Sequence, residues 1–297
     1  MKFKLNKVLA SLLGLTISMS VFAEDIELYV NHDVETDENP RVLMIFDTSG
    51  SMAWDVVDGG RCYRRYQNGQ FYESDCFKSQ TYFNYTQQCY KSVNGYAQAI
   101  CEDSRLLVAK NAVSQLVTDN DDIDFGLMRF RESSGGYVLA RLGSNKNTLL
   151  NEIDDLPASG ATPLTETLWE AYRYITGQSL YYGYGINNRD KAADANGTYK
   201  SPFKKESGDP LRCDNSINII LMTDGDPTND DGRDDQIKSV HNNLFNDSIP
   251  FVSGDYSNSY LVALSKIIHG TNNTKVDLYS ETSDVLDTGR VFTIGFG

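Results

Sequence analysis

A short apolar run near the N-terminus of this chain ends abruptly in oxygen-bearing side chains. Residues Val42 to Phe46 are all apolar, and Asp47-Thr48-Ser49-Gly50-Ser51 follows them directly. Uninterrupted apolar runs of this length are typical of strands buried on both faces in a parallel sheet. Because ligands of open α/β sheets bind in loops at the carboxyl ends of such strands, we expect Asp47, Ser49 and Ser51 to lie at a binding edge.

The rest of the chain alternates between strand-like and helix-like segments. Helical spacing of apolar residues predicts helices over Ser104 to Val117, with Leu106, Ala109, Val113 and Leu116 inward, over Asn147 to Leu156, and from Thr162-Pro163 onward, with Thr162 as the cap. Further strands are predicted at Phe125 to Phe130 and Tyr137 to Leu142, which form a hairpin, and at Ile217 to Met222 and Val291 to Phe296. This alternation predicts an α/β fold with a mainly parallel central sheet and helices on both faces.

The chain divides into a signal segment and one enlarged domain. Residues 1–23 combine a basic start, an apolar run and a small-residue cleavage site, and so predict a signal peptide and an exported protein. Residues 24–40 hold a short alternating strand, Asp25 to Val30, and an acidic linker. The domain is expected over 41–297, with surface insertions at about 55–103 and 177–213.

Five cysteines lie in this exported chain, where disulfides are expected. An odd number leaves one thiol over, and the sequence does not choose among the pairings. Local pairs are favoured, Cys62 with Cys76 and Cys89 with Cys101, with Cys213 unpaired.

The net charge excludes some partners. At −14 the chain repels phosphate backbones and anionic lipids, so nucleic acid is not an expected partner, whereas cations are attracted. After the signal segment, no apolar stretch is long enough to span a membrane.

Three loops place unusual oxygen chemistry at one edge of the predicted sheet. Asp47, Ser49 and Ser51 follow the first core strand, Thr162 lies in the Ser-Gly-Ala-Thr-Pro loop, and Asp224 follows the strand that ends at Met222. Two carboxylates and three hydroxyls form an oxygen-only set that suits Mg²⁺, with Ca²⁺ and Mn²⁺ as alternatives. Because only two negative charges offset the dication, an open coordination position would accept a carboxylate from another molecule.

These three motifs, in this order, resemble the metal-ion-dependent adhesion site of von Willebrand factor type A domains, which have a Rossmann-like α/β fold. The resemblance implies that Ser49, Ser51 and Thr162 touch the metal directly, while Asp47 and Asp224 bind it directly or through water. It implies a binding module and not an enzyme, with a protein or surface ligand that offers a carboxylate.

A narrower resemblance concerns type IV pilus tip adhesins and assembly factors. It rests on the signal peptide, the Asp-Ile-Glu-Leu-Tyr-Val opening, the segment Asn39 to Met52, the cysteine-bearing insertion and the ending Phe-Thr-Ile-Gly-Phe-Gly. It implies a place at the cell surface, at a pilus tip or in the periplasm, with pilus subunits among the partners. The β-propeller that normally follows in that family is not part of these 297 residues, and we expect the C-terminal end of the domain to be truncated.

Two alternatives belong to other classes of function. One is a periplasmic pilus-assembly module that uses the same metal site. The other is a Mg²⁺-dependent phosphatase, because Asp224-Gly-Asp226-Pro-Thr imitates the nucleophile loop of haloacid-dehalogenase-like enzymes, with Asp224 as nucleophile and Asp226 as acid/base. Further aspartates follow at 230, 231, 234 and 235, and these predict a solvated acidic loop.

Overall fold

The computed structural model describes residues 39–53, 56, 104–205, 215–225, 227–252, 257–280 and 285–296, and it describes the backbone alone for 63–67, 70–77, 90–93, 96–99, 251–252 and 257–258. The predictions for the signal peptide, for Asp25 to Val30, for Asp226 and for four of the cysteines lie outside these residues. Cys76 lies in a strand of which only the backbone is described.

The described elements follow one another in an alternating order. The helices are α1 (Arg105–Asp119), α2 (Lys146–Asp154), α3 (Leu164–Ile175), α4 (Asp234–Phe245) and α5 (Tyr260–His269). The strands are β1 (Arg41–Phe46), β2 (Tyr63–Gln67), β3 (Gln70–Phe77), β4 (Tyr90–Val93), β5 (Tyr96–Ala99), β6 (Asp124–Phe130), β7 (Gly136–Ala140), β8 (Asp194–Ala195), β9 (Thr198–Tyr199), β10 (Asn215–Thr223), β11 (Phe251–Val252), β12 (Ser257–Asn258) and β13 (Asp287–Gly295).

A five-stranded sheet forms the centre of the fold, in the order β13-β10-β1-β6-β7. Strand β1 pairs in parallel with both β10 and β6, and β13 pairs in parallel with β10. Only the edge strand β7 is antiparallel, as the second arm of the predicted hairpin. The structure therefore confirms the predicted α/β class with a mainly parallel central sheet.

Alternate residues of β1 supply two separate cores. Leu43 and Ile45 are fully buried on one face, in a cluster that also contains side chains of α3, α4 and α5. Met44 and Phe46 are buried on the other face, with side chains of α1 and α2. Because successive side chains of a strand point to opposite faces, helices must cover both sides of an all-apolar strand. This arrangement confirms the predicted helices on both faces.

Helix α1 begins as predicted, but its buried face differs from the prediction in the last turns. Ser104 is the N-cap, and its Oγ accepts a hydrogen bond from Leu107 N–H at 3.1 Å. Leu106, Ala109 and Val113 face the core, whereas Leu116 is 40% exposed and Val117 is buried in its place. The prediction for Leu116 was therefore wrong by one position.

Helix α3 begins at Leu164, and Pro163 occupies the N-cap position without a side-chain hydrogen bond. The prediction that Thr162 caps this helix was therefore wrong. The free N–H groups of Thr165 and Glu166 donate instead to Asp230 Oδ1, at 2.7 Å and 3.2 Å. A carboxylate from a distant loop thus supplies the N-terminal cap.

The described part of the second predicted insertion, 177–205, packs closely against the first core. Tyr182, Tyr199 and Phe203 are buried in the same cluster as Leu43 and Ile45. Asp190 N–H donates to Val138 O at 2.9 Å, which places this segment beside the edge strand β7. The segment therefore adds to the core although it lies outside the sheet.

Two antiparallel hairpins, β2-β3 and β4-β5, lie within the first predicted insertion. In the part of the chain that the structure describes, no helix is both long and apolar enough to cross a membrane.

Candidate metal site at the carboxyl edge of the sheet

The two site carboxylates come together because their strands are neighbours. Strands β1 and β10 pair in parallel with Phe46 opposite Met222, so the loops that follow the two strands leave the sheet at the same edge. Asp47 N–H donates to Met222 O at 2.9 Å, which continues the ladder by one residue beyond β1. Continued by one residue, the register places Asp47 opposite Thr223, and Asp224 follows at the same edge with its N–H directed at Asp47.

Asp47 forms the floor of the site and is fully buried. Its Oδ1 accepts from Ser49 N–H at 2.7 Å, and its Oδ2 accepts from Thr223 Oγ1–H at 2.8 Å and from Asp224 N–H at 3.4 Å. Burial raises the pKa of this carboxyl above its ordinary value of 3.8, the hydrogen bonds from Ser49 and Thr223 oppose the rise, and the negative charge of Asp224 adds to it. A cation beside Asp47 would offset the cost of its buried charge.

A row of side-chain oxygens lies next to this floor. Ser49 Oγ is 2.9 Å from Ser51 Oγ, and Ser51 Oγ–H donates to Asp224 Oδ1 at 2.7 Å. Because a hydroxyl that gives its proton to a carboxylate keeps its lone pairs, Ser51 Oγ is able to bind a cation while it holds Asp224.

The other oxygen of Asp224 faces an arginine. Arg105, the first residue of α1, brings its Nη1 to 2.8 Å from Asp224 Oδ2. The Asp224 side chain is fully buried, and the Arg105 side chain is 17% exposed. This ion pair closes the row of polar groups that begins at Ser49.

The third loop is joined to the first by backbone hydrogen bonds. Gly50 N–H donates to Gly160 O at 3.1 Å, and Ser159 N–H donates to Thr48 O at 2.7 Å. Gly160 has φ +105°, and a Cβ there would lie 2.4 Å from Glu132 O, so this close approach requires glycine. The loop that carries Thr162 is thereby fixed at the same edge of the sheet.

Thr162 itself is held by its backbone. Its N–H donates to Thr228 Oγ1 at 2.8 Å, and its carbonyl accepts from Thr228 N–H at 3.1 Å. Among the described residues, its own hydroxyl has no hydrogen-bond partner. The structure thus joins Asp47, Ser49, Ser51 and Asp224 through hydrogen bonds, and it brings Thr162 to the same edge with a hydroxyl that is not otherwise engaged.

The donor set fits a hard divalent cation. All five predicted ligands offer oxygen, which Mg²⁺, Mn²⁺ and Ca²⁺ prefer. In the described residues no group of three or more His, Cys, Asp or Glu side chains has metal-binding geometry, so a site here depends on hydroxyls as well as on its two carboxylates.

Three contributing residues were not predicted. Thr223 bonds Asp47, Thr228 fixes the Thr162 loop, and Arg105 pairs with Asp224. The sequence could have indicated Thr223, because it lies directly before Asp224 and because the residues that follow the neighbouring strand β1 are also polar. Arg105 gave no such signal, because its partner is far away in the sequence.

The acidic stretch after Asp224 is not simply a solvated loop. Asp230 is partly buried, and besides capping α3 its Oδ2 accepts from Thr165 Oγ1–H at 2.7 Å. Burial raises the pKa of Asp230 to about 7, its hydrogen bonds from Thr165 and Glu166 oppose the rise, and the charge of Glu166 adds to it. The prediction of a solvated loop was therefore wrong for Asp230, and it was also wrong for Asp234 and Asp235, which begin α4; Asp231 is exposed and outside the helix, as predicted.

No protein-family model matches the chain, and no curated protein matches it. Similar solved structures include the conserved hypothetical protein BatB from Bacteroides thetaiotaomicron, with 15% identity over 69% of this chain and 62% of that one and a TM-score of 0.32. The PilB minor pilin from Streptococcus sanguinis has 15% identity over 65% of this chain and 31% of that one, with a TM-score of 0.35. Three N-terminal domains of the type V pili tip protein Mfa5 from Porphyromonas gingivalis have 15% identity over 63% of this chain and 20% of that one, with a TM-score of 0.29.

This chain therefore matches less than two-thirds of the length of each of these proteins. At such TM-scores the likenesses carry no conclusion about ligand or partner.

Proposed function

We propose that this chain is an exported, metal-dependent binding module that captures a carboxylate on a protein or surface ligand. The observation that carries the proposal is the row from Ser49 Oγ through Ser51 Oγ to Asp224 Oδ1, set beside the buried carboxylate of Asp47. Ser49, Ser51 and Thr162 would bind a divalent cation directly, and Asp47 and Asp224 directly or through water. Mg²⁺ is the expected ion, with Ca²⁺ or Mn²⁺ as alternatives.

The cation would supply an electrophilic position that draws a ligand carboxylate. The chain's own residues orient the ligands for it: Asp47 fixes the Ser49 backbone, Asp224 holds the Ser51 hydroxyl, and Thr228 fixes the Thr162 loop. Because two carboxylates balance a dication without excess negative charge, an anionic ligand is not repelled by the site itself.

We further propose that the module acts in adhesion at a pilus tip, with assembly of pilus subunits in the periplasm as the alternative role. This location rests on the sequence resemblance to pilus tip adhesins and on the predicted signal peptide. Pilus subunits are then among the expected partners.

Calorimetric titration with Mg²⁺ and Ca²⁺ tests the metal site. Ser49→Ala removes one hydroxyl, and Thr162→Ala removes one hydroxyl and one methyl group; neither residue belongs to the two core clusters, so we expect a weaker affinity, by about tenfold, in a protein that stays folded. Ser144→Ala is the matched control, since Ser144 Oγ bonds only Arg141 O at the other end of β7. If both site variants bind as tightly as the control, the ligand assignment is wrong.

Surface binding tests the ligand class. In Mg²⁺ we expect the protein to bind carboxymethylated dextran but not hydroxyl dextran, and chelation should abolish binding. The net charge of −14 opposes non-specific attraction to a carboxylated surface, so binding there would require the cation. Retention that is insensitive to chelation would contradict carboxylate capture by a metal.

We propose binding and not catalysis for this site. Both oxygens of Asp224 accept hydrogen bonds, from Ser51 and from Arg105, which suits a positioning group better than a free nucleophile. A generic phosphate ester separates the two classes: we expect no hydrolysis by the wild-type protein. Hydrolysis that Asp224→Asn abolishes would establish the phosphatase instead.

A further inference from the structure

Arg105 is an unusual residue for the place it occupies. It is the first residue of α1, directly after the Ser104 cap, and the first turn contains no acidic residue. Because the N-terminal end of a helix carries partial positive charge, a cation at this position is unfavourable for the helix itself. The unfavourable interaction of Arg105 with the N-terminus of α1 must therefore be offset by a favourable contact elsewhere.

The offset comes from Asp224. The guanidinium donates to Asp224 Oδ2 at 2.8 Å, and the opposite oxygen of the same carboxylate accepts from Ser51. Asp224 is fully buried on its side-chain atoms, so its charge would be costly without a nearby cation. Arg105 therefore stabilises the site in the state without metal.

A divalent cation held by Ser49 and Ser51 would lie on one side of the Asp224 carboxylate, with the Arg105 guanidinium on the other side. Like charges so close together repel, and the repulsion is strong where water is excluded. Unlike a backbone donor, however, Arg105 has a long side chain that is 17% exposed, so it is able to turn towards solvent without unfolding α1.

We propose that Arg105 is a built-in competitor of the divalent cation, pairing with Asp224 in the metal-free site and giving up that pairing when the metal binds. This inference rests on the proposed metal site and adds its regulation. The metal affinity then depends on how much more favourably Asp224 interacts with the divalent cation than with the Arg105 guanidinium. A protein without Arg105 therefore binds metal more tightly.

The test compares Arg105→Gln with Arg141→Gln in the whole chain. Both variants lose one positive charge, and both arginines pair with an aspartate, since Arg141 pairs with Asp190 at 3.2 Å. Arg141 follows β7 at the end opposite to the site, so it controls for the change in net charge alone. Mg²⁺ and Mn²⁺ affinities are measured by calorimetry, together with the metal-induced change in melting temperature.

We expect Arg105→Gln to bind metal about tenfold more tightly than Arg141→Gln, as the loss of one charge-assisted hydrogen bond implies. Its melting temperature without metal should fall below the control, and the rise on adding Mg²⁺ should be larger. Arg105→Lys keeps the charge but loses the planar guanidinium, so its metal affinity should lie between those of wild type and Arg105→Gln. If Arg105→Gln does not fold without metal, Arg105→Lys replaces it in the same comparison.

The outcomes separate the two proposals. Equal metal affinity in Arg105→Gln and Arg141→Gln, with binding in both, overturns the competitor role and leaves the metal site standing. Absence of metal binding in all variants and in wild type overturns the metal site, and the competitor role with it. Binding by Arg105→Gln alone supports the competitor role in its strongest form.

Discussion

Two buried carboxylates of this fold, Asp224 and Glu170, are satisfied in different ways. Glu170 accepts from the N–H groups of Tyr181, Tyr182 and Gly183, at 3.0–3.1 Å, and from the Tyr199 hydroxyl at 2.7 Å. Asp224 accepts from two side chains, those of Ser51 and Arg105. Donors fixed in the backbone cannot leave without local unfolding, whereas side chains are able to rotate away.

The kind of donor separates a structural carboxylate from one that is available to a cation. Glu170 anchors the 177–205 segment to α3, and no other cation or ligand is needed to satisfy it. Asp224 has partners that a metal is able to replace or share. Burial alone does not distinguish the two residues, because both side chains are fully buried.

The largest effect should come from Glu170→Ala. Three backbone N–H groups and one hydroxyl would lose their acceptor inside the core, and we expect the free energy of unfolding to fall by about 3–5 kcal/mol. Urea denaturation measures it. Metal affinity of the protein that remains folded should not change, and Glu170→Gln, which keeps an acceptor oxygen, should lose less. A metal affinity that falls with Glu170→Ala would contradict a purely structural role for Glu170.

Gly160→Ala should combine a stability effect with a site effect. The new Cβ would lie 2.4 Å from the Glu132 backbone oxygen at φ +105°, so we expect a loss of about 2–3 kcal/mol and weaker metal binding as the Thr162 loop moves. Gly185→Ala is the matched control, because Gly185 also has positive φ, +77°, but has open space around it. If both variants behave alike, the contact with Glu132 does not position the site.

A third carboxyl, that of the partly buried Asp230, should make the free energy of unfolding depend on pH, and Asp230→Asn should remove that dependence. Because the pKa of Asp230 is raised to about 7, the folded protein binds its proton between about pH 4 and pH 7, where the unfolded chain does not. The free energy of unfolding contributed by this group therefore falls as pH rises through that range. We expect the difference between Asp230→Asn and wild type to shift in favour of the variant by about 1–2 kcal/mol from about pH 5 to about pH 8.

Urea denaturation at several pH values measures that shift. Asp235→Asn, an exposed change in the same stretch, is the control for general charge effects. A difference between Asp230→Asn and wild type that stays constant with pH would contradict the assignment of a raised pKa to Asp230.

The sequence predicted the parts of the fold that depend on short-range pattern. The apolar runs that became β1 and β10 ended where their polar loops begin, and parallel pairing then brought Asp47 and Asp224 to one edge. The buried face of α1 was predicted less accurately, because periodicity fixes the face of a helix only to within about one residue. This is why Leu116 was placed inward instead of Val117.

Contacts between distant residues could not be predicted in the same way. Thr162 has the side chain of a good cap, but Asp230 caps α3 from a loop beyond β10. Arg105 pairs with Asp224 across an even longer separation in the sequence, and Tyr199 reaches Glu170 only after the 177–205 segment has folded back. Each depends on the tertiary arrangement, which local propensity does not encode.

A crystal structure of the protein with Mn²⁺ tests the proposed metal site directly, because anomalous scattering locates the ion. We expect one peak in contact with Ser49 Oγ and Ser51 Oγ, with the Thr162 hydroxyl among its ligands, and with Arg105 moved away from Asp224. A protein crystallised in Mn²⁺ without a peak at this edge, and with the Arg105–Asp224 pair unchanged, would contradict it.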